Sequence, residues 1–99
     1  MGVEQNKIGH RAAKRTRRTP YHRLTVAELL VVKVVCRGAA TRREIAEKLV
    51  ISPNTVRSHL TAIYMRLGVA TLAGVVLFAL YDEALRRECF PQIKEWADE

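Results

Sequence analysis

Asn54, Arg57, Ser58, Thr61 and Met65 lie at helical spacing within SPNTVRSHLTAIYMRL, residues 52–67, and four of the five carry short or forked hydrogen-bonding groups. On a helix this spacing sets them along one face. A guanidinium can bond both acceptors of a guanine edge, a carboxamide suits adenine, and a hydroxyl serves either. The chemistry on offer is recognition by hydrogen bonding. On an isolated helix such a polar face usually does no more than meet solvent. Its meaning depends on what positions it.

The stretch itself predicts a helix over 53–67. Ser52 is a good N-cap, and Pro53 suits the first helical position, where its missing N–H costs nothing. Val56, Leu60, Ile63 and Leu67 repeat as one apolar stripe beside the polar one. Near the helix end Arg66 is placed for a phosphate. Gly68 can take the left-handed cap, and Val69 can then fold back on Ile63 or Tyr64.

Two capping boxes precede it. Thr25-Val-Ala-Glu28 opens a helix to about Arg37, ending at Gly38, with Leu24, Val31, Val32 and Val35 inward. Leu29, Leu30 and Val34 make that helix apolar on further sides. Thr41-Arg-Arg-Glu44 opens a short helix to Leu49, with Ile45, Ala46 and Leu49 inward, and Val50-Ile51 leads directly into Ser52. Two helices joined by so short a turn are a helix-turn-helix, whose second member is expected in the major groove. A fourth helix is expected from about Thr71 to Arg87. Its first half, with Leu72, Val75, Val76, Phe78, Ala79 and Leu80, is apolar nearly all round, so one side covers the core and another asks for a partner. Leu77, Leu80 and Tyr81 are the expected exposed residues, with Leu29 or Leu30 at the margin. The fold class is all-α: a four-helix bundle containing a helix-turn-helix, with a flexible basic N-terminal arm. Its parts are the arm at 1–23, the domain at 24–88 and an acidic extension at 89–99.

Ninety-nine residues suit one small domain, and the formal charge is +7. Residues 1–23 contribute +6, residues 24–81 contribute +4, and residues 82–99 contribute −3. A polyanion partner follows, with nucleic acid ahead of a membrane surface. The longest uncharged run, Leu67 to Tyr81, is too short to span a bilayer, and the N-terminus lacks the apolar region of a signal peptide. The expected location is cytoplasmic, which makes Cys36 and Cys89 thiols rather than a disulfide. They show no CxxC or Cys/His clustering, so neither a metal nor another cofactor is expected. Phe90, Ile93 and Trp96 suit a short amphipathic piece folding back after Pro91.

Leu24-Thr25, Glu28, Gly38, Glu44-Ile45-Ala46, Leu49, Ile51-Ser52, Thr55-Val56-Arg57, His59 and Leu67-Gly68-Val69 together resemble the LuxR/FixJ-type (GerE-like) helix-turn-helix domain of bacterial transcription regulators. The resemblance covers roughly residues 24–81 and is specific, since it fixes three helix starts and their spacings. It implies a four-helix domain that binds double-stranded DNA at promoters and commonly dimerises through its fourth helix. By position it implies that Asn54, Arg57, Ser58 and Thr61 read bases. Ser52, Thr55 and Arg66 would hold phosphates, and Arg42 and Arg43 begin the helix that crosses the backbone. His59 flanks the groove, bonding a phosphate or packing on the domain. The chain departs from the family pattern at Leu72 and Ala27, where arginines are usual, and the second departure leaves Glu28 only its capping role. Most such regulators carry an upstream receiver or ligand-binding domain, for which 23 residues are too few.

An enzyme reading has little support. Ser58 and His59 are adjacent, so on a helix they point about 100° apart and cannot act as nucleophile and base. Two rivals remain open. One is a module resembling sigma-factor region four. The other is a protein-interaction domain whose apolar surfaces bind RNA polymerase or another transcription component. The Gly68-Val69 turn into a long fourth helix favours the LuxR-type reading over the first.

Overall fold

The structure is a computed structural model, and it describes residue 19 and residues 21–93. Most of the basic arm and the end of the acidic extension, Trp96 included, lie outside the described residues. Five α-helices follow one another in the described part: α1 Val26–Cys36, α2 Arg42–Leu49, α3 Pro53–Leu67, α4 Leu72–Tyr81 and α5 Glu83–Cys89. A single 3-10 turn, Pro91–Ile93, comes after them.

Each helix starts on a capping side chain. Thr25 Oγ1 accepts the Glu28 N–H at 3.1 Å while Glu28 Oε1 accepts the Thr25 N–H at 3.0 Å, a reciprocal capping box that satisfies two otherwise orphan donors. At α2 the expected box is only half formed. Thr41 Oγ1 accepts from Glu44 N, but Glu44 Oε1 accepts from Ala40 N at 2.6 Å, one residue earlier than expected. Ser52, Thr71 and Asp82 cap α3, α4 and α5 through Thr55 N, Gly74 N and Leu85 N.

The expected apolar stripes form the core. Leu24, Val31, Val32, Ile45, Val56, Ile63, Val75 and Leu85 are fully buried, and Leu60 and Leu67 nearly so. Helix α1 packs against α2, α3, α4 and α5. Cys89 is also buried in this core, and Tyr21 and Phe90 pack against it from the two ends of the described chain.

The connection between α2 and α3 has a conformation that its sequence does not announce. Val50 closes α2 at φ 57°, ψ 50°, in the left-handed region, and its side chain is 88% exposed. A β-branched residue is strained there, since its Cβ crowds the following carbonyl. The conformation lets Ile51 N reach back to Ala46 O at 3.0 Å and turns the chain sharply into Ser52. At the far end of α3, Gly68 takes φ 71° as expected. Its N–H and that of Val69 both bond Tyr64 O, at 2.9 and 3.1 Å. Gly74 matters for a different reason. A Cβ there would lie 3.0 Å from Val69 Cβ, so its absence lets the first turn of α4 sit down on the turn that follows α3.

The long fourth helix expected from Thr71 to Arg87 does not exist as one piece. It breaks at Asp82, which has an extended backbone (φ −94°, ψ 119°) and serves both as the end of α4 and as the N-cap of α5. Asp82 N donates to Phe78 O at 2.9 Å while Asp82 Oδ1 accepts from Leu85 N at 3.0 Å. Side-chain capping competes here with continuation of the helix, and a third contact meets the same side chain: His22 Nε2 stands 2.6 Å from Asp82 Oδ2. The expected fourth helix is therefore two, and the described residues form five helices rather than four.

Candidate nucleic-acid interface

Helix α3 has two unlike sides. Val56, Leu60, Ile63 and Leu67 are buried, while Asn54, Thr55, Arg57, Ser58, Thr61 and Met65 are exposed and His59 is half-buried. The hydroxyls of Ser52 and Thr55 pair at 2.9 Å at the exposed N-terminal end of the helix. No acidic residue occupies the first turn of α3 to oppose the positive end of its dipole. Backbone N–H groups and hydroxyls at such an end suit a phosphate. Thr61 Oγ1 donates to Arg57 O at 3.0 Å, so its proton stays on the helix and its lone pairs face outward as acceptors.

Arg42 and Arg43, both exposed, open α2. Arg42 and Arg57 line one open recess together with Thr41, Thr61 and Tyr64. The fold thus gathers candidates from both helices of the helix-turn-helix. Leu72, where arginine was the expected family residue, lines the same recess and is half-buried.

Arg66 has a partner that the sequence did not suggest. Its Nη1 donates to Oε1 and Oε2 of Glu28, both at 2.9 Å. The Glu28 side chain is 6% exposed, so the pair is largely withdrawn from water. Glu28 therefore does more than cap: one carboxylate holds the start of α1 and the end of α3 together. The family pattern places the arginine partner of Glu28 beside it, where this chain has Ala27, and the partner here stands on α3 instead.

Residues 22–79 match the family described as bacterial regulatory proteins, luxR family. The chain belongs to that family. A Mycobacterium bovis protein, carrying the provisional name of an HTH-type transcriptional regulator, is 42% identical over 64 residues. That match covers 65% of this chain and 7% of the relative. Similarly named proteins from two strains of Mycobacterium tuberculosis are 42% and 41% identical over the same length. The chain spans about 7% of the length of the curated relatives it matches. No solved structure matches it.

In this luxR-family domain, the expected dimer residues separate. Leu77 is 53% and Tyr81 84% exposed, and both line an open apolar groove with Val69, Gly74, Phe78 and Asp82. Leu80 is half-buried and does not line that groove. His22 packs edge-on against Phe78 with ring centroids 4.8 Å apart, at one margin of the groove. Burial alone would raise the Asp82 carboxyl, but the Leu85 N–H, the His22 contact and the Ala84 N–H outweigh it and hold the group below its ordinary value. Lys33 Nζ holds Glu88 at 2.9 Å and, against the effect of burial, keeps that carboxyl low as well. Tyr21 Oη donates to the same carboxylate at 3.2 Å. Among the described residues, no group of three His, Cys, Asp or Glu is placed to hold a metal, and no single helix is long and apolar enough to cross a membrane.

Proposed function

We propose that this luxR-family domain is a sequence-specific regulator of transcription that places α3 in the major groove of double-stranded DNA. Asn54, Arg57, Ser58 and Thr61 read base edges, and Arg42, Arg43, Ser52, Thr55 and His59 hold phosphates on either side. Arg66 contributes through the N–H groups of Nε and Nη2, while Nη1 stays on Glu28. Two copies pair through Leu77 and Tyr81, with Leu80 at the margin, and pairing completes on DNA because so small an apolar patch makes a weak dimer alone. The observation that carries this reading is the division of α3. One stripe is wholly buried, and the adjoining one is exposed with the residue types that recognise bases.

Selection of bound fragments from a random duplex pool tests it. The expected result is a palindromic consensus with half-sites about one helical turn apart. Recovery of fragments with no shared sequence would contradict it.

A second surface favours a protein partner alongside DNA. Leu30, Val34 and Leu49 line a recess flanked by Lys33, Arg37 and Lys48, which suits an acidic, partly apolar segment of a transcription component such as RNA polymerase. Loss of transcriptional activation in Leu30→Glu with DNA affinity retained supports it, and unchanged activation refutes it.

A further inference from the structure

Trp96 is the chain's single tryptophan, and it stands in an acidic stretch, Lys94-Glu95-Trp96-Ala97-Asp98-Glu99, with three carboxylates against one lysine. Residues 94–99 lie outside the described residues, so the place where the described chain stops sets what they can reach. Helix α5 is tied to α1 by Lys33 Nζ, 2.9 Å from Glu88 Oε2, and Phe90 packs against the core directly after the helix closes. Lys33 also lines the recess on α1 and α2, together with Leu30, Val34, Arg37, Lys48 and Leu49. The anchor of the tail and the rim of the recess thus share one lysine. Trp96 follows Ile93, the last described residue, by three positions, or about 10 Å of extended chain.

The recess suits that stretch in both polarity and charge. Leu30 is 45% exposed and Val34 and Leu49 are half-buried, so its floor is apolar. Arg37 and Lys48 are exposed at its edge. They also border Glu44 and Glu47 in a neighbouring recess, yet among the described residues no ion pair joins either cation to a carboxylate. Two other open recesses fit less well. The groove on α4 has Asp82 at its edge, which opposes an acidic segment. The recess of Arg42 and Arg57 lies at the start of α2, about 12 Å along the helix from Lys48 and Leu49 at its end. We propose that residues 94–99 dock in the α1–α2 recess, with Trp96 on Leu30, Val34 and Leu49 and the carboxylates of Glu95, Asp98 and Glu99 facing Arg37 and Lys48. Joined by so short a linker, the segment meets the recess at about millimolar effective concentration, so a contact too weak to hold a free peptide is occupied within the chain. Docked there, the tail covers the surface offered above to a transcription component and competes with it. The docking itself does not depend on DNA binding.

Because Trp96 is the single tryptophan, its fluorescence in the full chain provides the test. The expected result is emission at shorter wavelength and weaker acrylamide quenching than in a free peptide of residues 90–99, both independent of protein concentration. Lys48→Glu and Leu30→Glu, each at an exposed position, should move both readings toward the peptide values. Raised salt should do the same by screening the charges. Leu77→Glu, on the α4 groove, should leave both readings unchanged. Helical circular dichroism verifies that each variant folds, and Lys48→Glu serves alone if Leu30→Glu does not. Quenching in the unaltered chain equal to that of the peptide would overturn the proposal. So would shielding that Lys48→Glu leaves intact, or shielding that Leu77→Glu removes. Shielding that appears only as protein concentration rises would also overturn it, by placing the tail on another copy. The readout is emission and not transcription, so this docking and the partner proposed for the same recess stand or fall separately.

Discussion

One nitrogen of Arg66, on the last turn of α3, bonds both carboxylate oxygens of Glu28, in the first turn of α1. This pair fixes the end of α3 against the start of α1, which packs beneath it. Removing one partner leaves the other largely buried without its counter-charge. Arg66→Ala should therefore cost about 2–3 kcal/mol of stability, below the roughly 3–5 kcal/mol of a fully buried pair because Arg66 keeps some access to water. Chemical denaturation measures it. A loss below about 0.5 kcal/mol would match an ordinary surface pair and remove the structural role.

Val50 holds a left-handed conformation with no packing in return, since its side chain is exposed. The strain is worth about 1–2 kcal/mol, and glycine gives back about 0.5–1 kcal/mol through the freer unfolded chain. Val50→Gly should raise stability by roughly 0.5–1 kcal/mol, seen as a higher urea midpoint at unchanged slope. A lower midpoint would mean that Val50 supports the turn in some other way.

The acid limb of stability should depend on the corner where the arm meets α4 and α5. Asp82 and Glu88 both have carboxyl pKa values depressed in the fold. Their contribution is complete above the ordinary carboxylate range, and it is lost as pH falls through the depressed folded values. Asp82→Asn and Glu88→Gln should flatten the decline of stability below about pH 4.5. A decline as steep as that of the unaltered protein would place the acid-sensitive groups elsewhere.

Much of this architecture was legible because its signals are local and repeated. The stripe Val56, Leu60, Ile63 and Leu67, bounded by Ser52 and Gly68, predicts α3 and both of its faces without reference to the rest of the chain. The features that escaped depend on distant or solitary residues. The break at Asp82 lies in a strongly apolar run and is held by His22, sixty positions earlier. Glu28 finds its arginine 38 positions away. Val50 carries none of the glycine or asparagine signature that a left-handed turn usually shows. At the interface the residue types were readable in the sequence. The recess that joins Arg42 to Arg57 needed the angle between two helices.

The basic arm should govern the salt dependence of DNA binding. Each phosphate neutralised contributes about −0.9 to the slope of log K against log salt. Deleting residues 1–18 leaves intact the Thr19 N–H bond to Leu24 O and removes most of the arm's charge. The slope should become shallower. An unchanged slope would make the arm a passive leader.

The proposed pairing uses Leu77 and Tyr81, both exposed. Leu77→Glu should keep the fold, because the side chain is outside the core, and abolish cooperative two-to-one binding to a palindromic site. Sedimentation of free and DNA-bound protein reads this directly. One-to-one complexes with the unaltered protein on such a site would contradict the dimer.

The central claim is that α3 reads bases, and Arg57→Ala tests it most directly. Its affinity, and that of the unaltered protein, should be measured on the selected site and on random duplex at one salt concentration. A lost base contact should cost about 1–3 kcal/mol on the selected site and much less on random DNA, narrowing the ratio between them. Equal losses on both would make Arg57 a phosphate contact and contradict the account.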